Sequence, residues 1–303
     1  MGHKSAFVSI VGRPNTGKST LINALVGEAI AITSHHPNTT RRAIRGIVHR
    51  SDAQLIFVDT PGMHKPRTAL GGALNSIVDE SMDSVDVIIQ CIPIDEPVGA
   101  GDLHVARQIA AHPNARKFAV VTKMDKSDRA RAPEQLMRIQ ELAETAGFSW
   151  DEVIPISAQR GEQVELLIEL LVGLAPEGPA FYPKDATSDQ SLEIVLADLI
   201  RAAAIQDLKD ELPHSVAVTI DEMSEREDRK LIDIHAAIIV ERDSQKSILI
   251  GKRGERLREI GSKARRDIEA RLGSQVFLAL NVKVIPNWQS DTKALDRLGF
   301  TRR

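Results

Sequence analysis

Hydrophobic and polar positions in the first part of the chain follow two alternating patterns. Short, apolar, β-branched runs predict buried strands at residues 7–12, 55–60, 86–92, 117–122 and 152–157. Apolar residues at helical spacing predict helices at residues 18–26, 99–112, 133–146 and 162–173. This alternation predicts an α/β domain, in which a mostly parallel sheet carries helices on both faces and binds ligands at the carboxyl ends of its strands.

The alternation ends at APEGPAFYPKDATSD, residues 175–189, where proline, glycine and aspartate predict a linker. We therefore expect domains at 1–174 and 190–303, joined by 175–189. The second domain is predicted to be α+β. Its pattern indicates a helix at 190–210, strands at 214–223 and 231–242, a helix–turn–helix at 245–272, a strand at 275–285 and a short helix at 290–298.

The composition is that of an ordinary globular protein. Of 303 residues, 42% are apolar and 27% charged, and the net charge of −3 gives no global sign of nucleic-acid binding. One cysteine, Cys91, excludes a disulfide framework and suits a reducing compartment; it falls in a predicted buried strand. No apolar run approaches the ~20 residues of a membrane span, and we expect no signal peptide.

The segment GRPNTGKST, residues 12–20, follows the first predicted strand and opens a helix, as a phosphate-binding loop does. Gly12 and Gly17 allow backbone N–H groups to point at phosphate oxygens. Lys18 supplies a cation, and Ser19 a hydroxyl for Mg²⁺, at the positive end of the helix. Further candidate ligands in the loop are Asn15, Thr16 and Thr20.

Candidate metal ligands follow in VDTPG, residues 58–62, where Asp59 can hold Mg²⁺ and Gly62 can offer an N–H beside the terminal phosphate. The polar segment TSHHPNTTRR, residues 33–42, predicts a loop in which Thr39 or Thr40 reaches the metal when the terminal phosphate is present.

The paired His35 and His36 in this loop are adjacent in sequence, so their side chains point apart and we expect a solvated loop rather than a metal site.

The segment TKMD, residues 122–125, predicts a guanine-binding loop. The carboxylate of Asp125 can accept hydrogen bonds from guanine N1–H and from the amino group, a pair that adenine lacks. Lys123 can lay its stem along the base, and Ser157–Ala158 can direct a backbone N–H at guanine O6. Thr122 stands where the usual pattern has asparagine, so we expect weaker binding with guanine specificity kept.

Taken together, GRPNTGKST, NTTRR, DTPG, TKMD and SAQRG resemble the motifs of the translation-factor class of GTPases. SILIGKRGERLREIGSKAR, residues 247–265, resembles a KH RNA-binding motif with GKRG as its G-x-x-G loop. A P-loop GTPase domain followed by a prokaryotic, type II KH domain is similar to the Era family of bacterial GTPases. The similarity extends to the closing VKVIPNWQSDTKALDRLGF.

This resemblance implies slow GTP hydrolysis with Mg²⁺, and it implies catalytic roles for Lys18, Thr40 and Gly62. Met63, followed by His64, replaces the glutamine that orients water in Ras-like enzymes. An asparagine at the position of Asn15 holds K⁺ in related GTPases. The resemblance also implies a monomeric, cytoplasmic assembly factor of the 30S ribosomal subunit that binds 16S rRNA near its 3′ end. It leaves open peripheral contact with the inner face of the cell membrane.

The predicted RNA site lies in a locally basic segment. Between Lys246 and Arg271, nine Lys and Arg face four acidic residues, a surplus of five positive charges. Gly251 and Gly254 permit a tight turn from which Lys252 and Arg253 meet phosphates. We add Ile250, Arg258 and Arg265 as candidate contacts. The stripe Ile248, Ile250, Leu257 and Ile260 is expected to pack on the sheet, and Trp288 to be a packing residue.

Three alternatives remain open from the sequence. A tRNA-modifying enzyme built on a similar domain relies on a C-terminal cysteine, which this chain lacks. An RNA-binding chaperone with vestigial hydrolysis is opposed by the intact Lys18, Ser19 and Asp59. An ATPase is opposed by Asp125.

Overall fold

The computed structural model describes residues 2–33, 40–63, 68–127, 132–206, 208, 212–226 and 231–300. The chain divides into two compact units, with most residues up to Asp189 in the first and Gln190 onward in the second. Within the described residues, no helix combines the length and the apolar content needed to cross a membrane.

The first unit is a six-stranded sheet with the strand order β2-β3-β1-β4-β5-β6. Its elements are β1 Lys4–Val11, α1 Lys18–Val26, β2 Ile44–His49, β3 Ala53–Asp59, α2 Ala69–Met82, β4 Val87–Pro93, α3 Ala100–Ala110, β5 Arg116–Thr122, α4 Ala132–Ala146, β6 Glu152–Pro155 and α5 Val164–Leu174. Only β2 runs antiparallel to its neighbour, β3. The predicted mostly parallel α/β sheet is therefore confirmed.

The central strands read as continuous apolar runs because both of their faces are covered. In β5, Phe118 and Val120 pack in the core shared with α1 and α5, whereas Ala119 and Val121 pack in the core beneath α2, α3 and α4. This arrangement brings the carboxyl ends of β1, β4 and β5 to one edge, where the loops of the candidate site emerge.

Two elements of this unit, β2 and α2, were missing from the sequence prediction. Strand β2 has the sequence IRGIVH, in which a charged residue and a glycine interrupt the apolar run. Helix α2 begins ALGG, and the two glycines weaken its helical signal by roughly 1 kcal/mol each. In both cases packing on the sheet overrides a weak local preference.

Residues 175–189, which we call the strap, lie against the first unit. Gln54 donates to the carbonyl of Tyr182 (2.9 Å) and accepts the N–H groups of Phe181 (2.8 Å) and Tyr182 (3.1 Å). Ser5 donates to the carbonyl of Pro179 at 2.6 Å. Further along, the N–H of Ile47 in β2 donates to the carbonyl of Thr187 at 3.0 Å. The strap is thus hydrogen-bonded to the edge of the first sheet.

The second unit consists of α6 Leu192–Ile205, β7 Ala217–Arg226, β8 Leu231–Val240, α7 Asp243–Ile250, α8 Glu255–Leu272, β9 Gln275–Val284 and α9 Thr292–Arg297. Its sheet has the order β7-β8-β9, with β7 antiparallel and β9 parallel to β8. The predicted α+β pattern is confirmed element by element.

One packing prediction for the second unit is wrong. Ile248 is 47% exposed, whereas its neighbour Leu249 is fully buried. Ile260 is buried, and Ile250 and Leu257 pack partly against the same core, as expected. The reason is helical register, because one residue turns the side chain by about 100° around the axis. Trp288 is fully buried and donates to the carbonyl of Ser215, so its predicted packing role is confirmed.

Candidate nucleotide site and nucleic-acid interface

The predicted phosphate loop joins β1 to α1 at the carboxyl edge of the sheet. Gly17 takes a left-handed conformation (φ 93°) immediately before the helix. At Gly12, a Cβ atom would lie 2.8 Å from the carbonyl oxygen of Cys91, so only glycine lets the loop pass this close to β4. Cys91 is fully buried, as predicted, and burial raises the pKa of its thiol to about 12.

Lys18 turns back over this loop. Its Nζ donates to the carbonyl oxygens of Gly12 at 3.0 Å and Arg13 at 2.8 Å, and the side chain is buried. Burial lowers the pKa of Lys18, and the nearby charge of Asp59 opposes that shift. The ammonium group is therefore held at the mouth of the loop by carbonyls that are weak partners compared with a phosphate oxygen.

Gly62 presses against the phosphate loop from the end of the β3 segment. A Cβ atom on Gly62 would lie 2.7 Å from both Cα and N of Pro14. The next N–H, of Met63, donates to the carbonyl of Gly12 at 3.1 Å. The Met63 side chain itself is buried in the core beneath α2, so it does not face the loop. His64 lies outside the described residues.

Three predicted metal ligands meet in one cluster of oxygen atoms. Ser19 Oγ donates to Asp59 Oδ2 at 2.9 Å, Thr40 Oγ1 donates to the same oxygen at 3.2 Å, and the two hydroxyl oxygens are 2.9 Å apart. Asp59 Oδ1 is buried and has no hydrogen-bond partner among the described residues. Thr39, the other threonine considered for this role, lies outside the described residues, as do His35 and His36.

The Asp59 carboxyl group is strongly perturbed. Burial raises its pKa to about 6, while Lys18 and the hydroxyls of Ser19 and Thr40 act in the opposite direction. The buried Asp59 carboxylate, whose Oδ1 lacks a partner among the described residues, and its two hydroxyl neighbours form an all-oxygen donor set, which a hard divalent cation prefers. The donor set therefore fits Mg²⁺.

The predicted base-reading residues converge at the ends of β5 and β6. Ser157, which is buried, donates from Oγ to Asp125 Oδ1 at 2.8 Å. The N–H of Met124 donates to the carbonyl of Ile156 at 3.2 Å, which ties the two loops together. Asp125, Lys123 and Ala158 are half-buried, so their surfaces are open to a ligand.

Thr122 connects the predicted guanine-binding loop, residues 122–125, which we call the base loop, to the phosphate loop. Its Oγ1 donates to the carbonyl of Thr16 at 2.6 Å, and both side chains are buried. Thr122 also lies 3.5 Å from the position of a Cβ atom on Gly17. The hydroxyl thus ties the base loop to the phosphate loop. In this structure the Thr122 side chain makes that contact and is not exposed in a pocket.

The sequence prediction missed an ionic network beside these loops. Arg13, within the phosphate loop, pairs with the fully buried Asp102 at 2.7 Å and with Glu96 at 3.3 Å. Glu96 also pairs with Lys123 at 3.0 Å. The signal available in the sequence was Gly99-x-x-Asp102, a helix-capping spacing in which the Gly99 N–H donates to Asp102 at 2.9 Å.

Two further candidates belong to the phosphate loop and its first helical turn. Asn15 is exposed and has a left-handed backbone (φ 63°), and Thr20 is half-buried on α1. Both belong to the predicted loop, and the geometry gives neither an individual function.

The predicted RNA loop lies between α7 and α8. Gly251 (φ 70°) and Gly254 (φ 77°) adopt backbone conformations that favour glycine, and Arg253 between them is also left-handed (φ 52°). A Cβ atom on Gly251 would lie 2.8 Å from the Cβ of Arg256. The turn presents the side chains of Lys252 and Arg253 to solvent.

The two other predicted basic contacts have partners within the protein. Arg258 donates to the carbonyl of Arg253 at 2.7 Å and so supports the loop, and Arg265 lies 4.0 Å from Glu269 one helical turn away. Both are exposed, and Ile250 is half-buried beside the loop. The loop therefore combines two outward cations with a backbone fixed from behind.

Comparison with known proteins identifies the two halves separately. The family of 50S ribosome-binding GTPases matches residues 7–124, and the KH domain family matches residues 211–289. The first match contains the phosphate loop and ends within TKMD, and the second contains the whole G-x-x-G loop.

Full-length relatives share about half of the sequence. GTPase Era of Nocardioides sp. is 53% identical over 302 residues, covering 98% of this chain and 96% of the relative. GTPase Era of Mycobacterium avium is 54% identical over 299 residues, covering 98% and 99%.

Solved structures agree along nearly the whole chain. The structure of Era with MgGDPNP and nucleotides 1506–1542 of 16S ribosomal RNA is 33% identical, with a TM-score of 0.93 and coverage of 99% of this chain and 100% of that one. A variant of Aquifex aeolicus Era bound to GDP and AlF4⁻ matches with a TM-score of 0.92, 33% identity and the same coverage.

Proposed function

The chain belongs to the Era family of GTPases, and on that premise we propose that it binds Mg²⁺ and GTP in the first unit, hydrolyses GTP slowly, and binds 16S rRNA near its 3′ end through the second unit to assist assembly of the 30S subunit. The observation that carries this proposal is that the candidate phosphate-binding and guanine-binding loops lie together at one edge of the sheet, where Thr122 donates a hydrogen bond to the carbonyl of Thr16. The 16S RNA in the related complex favours the small subunit over the large one that the family description names.

At the phosphate end, the roles follow from the donors available. Backbone N–H groups of the loop, from Gly12 to Thr20, and the N-terminus of α1 would face the phosphates. Lys18 would exchange its two carbonyl partners for phosphate oxygens, which are stronger acceptors. Gly62 would offer its N–H beside the terminal phosphate.

Ser19, Asp59 and Thr40 are the residues that would hold Mg²⁺. Their oxygens already cluster, and the buried Oδ1 of Asp59 lacks a protein partner among the described residues. When bound, the ion neutralises charge on the phosphate oxygens during transfer. Thr40 follows directly on residues 34–39, so its hydroxyl would report whether the terminal phosphate is present.

At the base end, Asp125 would accept both guanine donors. Ser157 fixes the carboxylate by donating to Oδ1, which leaves acceptor capacity on both oxygens for the base. Lys123 would supply the floor under the base, and the N–H of Ala158 would face guanine O6. Thr122 would act without contacting the base, by holding the phosphate loop against the base loop.

Hydrolysis would depend on positioning and charge neutralisation, since the side chain that follows Gly62 is a buried methionine. The groups that we assign to the transferring phosphate are Lys18, Thr40 and the N–H of Gly62. No described side chain at this position can orient water as a glutamine does, which supports a slow intrinsic rate.

We further propose that Asn15 holds K⁺ against the phosphates. Its side chain is exposed on the rim of the phosphate loop, where it can reach a bound nucleotide. Equal GTPase rates in K⁺ and Na⁺ at matched ionic strength would contradict this assignment.

In the second unit, Lys252 and Arg253 would contact RNA phosphates, and the two glycines would let the RNA backbone approach closely. Ile250 would line the groove beside the loop, and Arg258 and Arg265 would add positive charge. Reversing the charge of both loop cations, beside a control reversal elsewhere on the surface, tests this assignment. Lys252→Glu with Arg253→Glu should abolish binding of a 16S 3′-end RNA, whereas Arg107→Glu on α3 should leave it unchanged.

We propose domain limits of 1–174 for the GTPase domain and 190–303 for the KH domain, with 175–189 between them. The proposed state is a monomer in the cytoplasm, with any contact to the inner face of the membrane peripheral. Family resemblance supports both the location and the oligomeric state. Sedimentation with and without lipid vesicles would measure both.

The test of the nucleotide assignment is a change of base preference. The parent should bind GDP and GTP and reject ATP, and Asp125→Asn should lose guanine nucleotides and gain xanthosine nucleotides, because the amide can donate where the carboxylate accepts. Equal affinity of the parent for ATP and GTP would contradict the guanine assignment.

A further inference from the structure

Glu96 lies between two cations that belong to different nucleotide loops. Its Oε2 is 3.3 Å from Nη1 of Arg13 in the phosphate loop, and its Oε1 is 3.0 Å from Nζ of Lys123 in the base loop. Glu96 itself belongs to neither loop, since it follows β4 and precedes α3. One carboxylate therefore bridges the two halves of the nucleotide site.

The Arg13 side of this bridge is rigid. Arg13 Nε donates to Asp102 Oδ1 at 2.7 Å, and Asp102 is fully buried. Gln90 donates to the carbonyl of Asp102 at 3.0 Å. A Cβ atom on Gly101 would lie 2.5 Å from Cδ of Arg13, so the arginine lies flat on the first turn of α3.

The charges agree with this geometry. Burial acts to lower the pKa of Arg13, but the hydrogen bonds and charges of Asp102 and Glu96 outweigh it and raise the pKa. A guanidinium held this way cannot swing out to release Glu96 without leaving Asp102 buried and unpaired, which is costly.

The Lys123 side is also fixed at more than one point. Lys123 has a left-handed backbone (φ 60°), and its ammonium lies 3.3 Å from Asp95 as well as 3.0 Å from Glu96. Gln135 on α4 donates to the carbonyl of Glu96 at 2.6 Å, which fixes the backbone that carries the carboxylate. The end of the Lys123 side chain is consequently held by this acidic pair.

We propose that Glu96 is a positioning residue that holds the Lys123 stem as a preformed floor for the guanine base and so slows nucleotide release. The inference rests on the proposed guanine-nucleotide function and deepens it. A stem with a free ammonium would have to be ordered at each binding event, and this entropy cost is avoided when the anchor is already in place.

The experiment measures the release rate of a fluorescent GDP analogue from the full chain. Glu96→Gln keeps the size of the side chain and removes its charge, and we expect release to become about fivefold faster, as suits two partly exposed ion pairs. Glu96→Asp keeps the charge but shortens the reach, and it should also accelerate release. Glu134→Gln removes an exposed carboxylate that pairs with Arg138 on α4 and should leave the rate unchanged.

A second background distinguishes positioning from general stabilisation. Lys123→Met keeps an apolar stem and removes the ammonium, so Glu96→Gln should change release less than twofold in that background. Thermal midpoints of all variants, measured without nucleotide, should agree within the small shifts expected for surface pairs.

Three results would overturn the proposal: parental release from Glu96→Gln, parental release from Glu96→Asp, or an equal effect of Glu96→Gln with and without the Lys123 ammonium. Failure of the parent itself to bind the GDP analogue would instead contradict the proposed function.

Discussion

Removing the Thr122 hydroxyl tests whether threonine at this position has a structural task of its own. Thr122→Val keeps the shape of the side chain and deletes only the donor that lies 2.6 Å from the carbonyl of Thr16. Because both side chains are buried, the carbonyl has little access to replacement water, and an unmet buried acceptor costs about 1–3 kcal/mol. Thr122→Ser is the matched control, since it keeps the hydroxyl and loses a methyl group worth about 0.8 kcal/mol.

The assay is urea unfolding, following the transition that shifts when GDP is added, because that transition belongs to the nucleotide-binding unit. The free energy of unfolding should fall by about 1–3 kcal/mol for Thr122→Val and by less for Thr122→Ser. GDP affinity should fall in the same order, since the phosphate loop loses its tie to the base loop. A valine variant as stable as the parent, or a serine variant less stable than the valine variant, would contradict a structural role for the hydroxyl.

Three further changes have defined outcomes. Asp59 has a pKa of about 6 in the folded protein, against 3.8 for an ordinary aspartate, so the folded state binds this proton more tightly than the unfolded state. The metal-free protein should therefore lose stability as the pH rises from about 4 to 6. Asp59→Asn should remove that part of the pH dependence in urea titrations. Gln54→Leu removes the side chain that holds the strap, so limited proteolysis within 175–189 should become faster; unchanged cleavage would count against the strap contacts. Gly62→Ala would place a Cβ atom 2.7 Å from the Pro14 backbone and should cost about 1–3 kcal/mol, whereas Gly72→Ala, which meets nothing within 4 Å, should leave the thermal midpoint at or above that of the parent.

The local motifs of the nucleotide site were predictable because their geometry depends on neighbouring residues. A glycine-rich turn between a strand and a helix must present N–H groups to phosphates, and parallel strands must bring their carboxyl ends to one edge. This is why the sequence could predict that Ser19 and Asp59 lie together beside Lys18, and that Asp125 and Ser157 lie together at the neighbouring strand ends.

Interactions across long sequence separations were not predictable in the same way. Arg13 and Asp102 are 89 positions apart, and no periodicity relates them. The error at Ile248 has a different origin, since a short helix with apolar residues at consecutive positions leaves its register undecided until the neighbouring sheet is known. The same holds for β2 and α2, which owe their structure to packing on the sheet.

We propose above that this chain, with Thr122 in its base loop, is a guanine-specific GTPase, and the other assignments to the first unit depend on this activity. The most direct test is phosphate release by the purified full chain with Mg²⁺ and either GTP or ATP, beside a Lys18→Ala control for contaminating activity. We expect slow conversion of GTP to GDP, abolished in the Lys18 variant, and no turnover of ATP. Equal turnover of the two nucleotides, or GTP turnover that survives in the Lys18 variant, would contradict it.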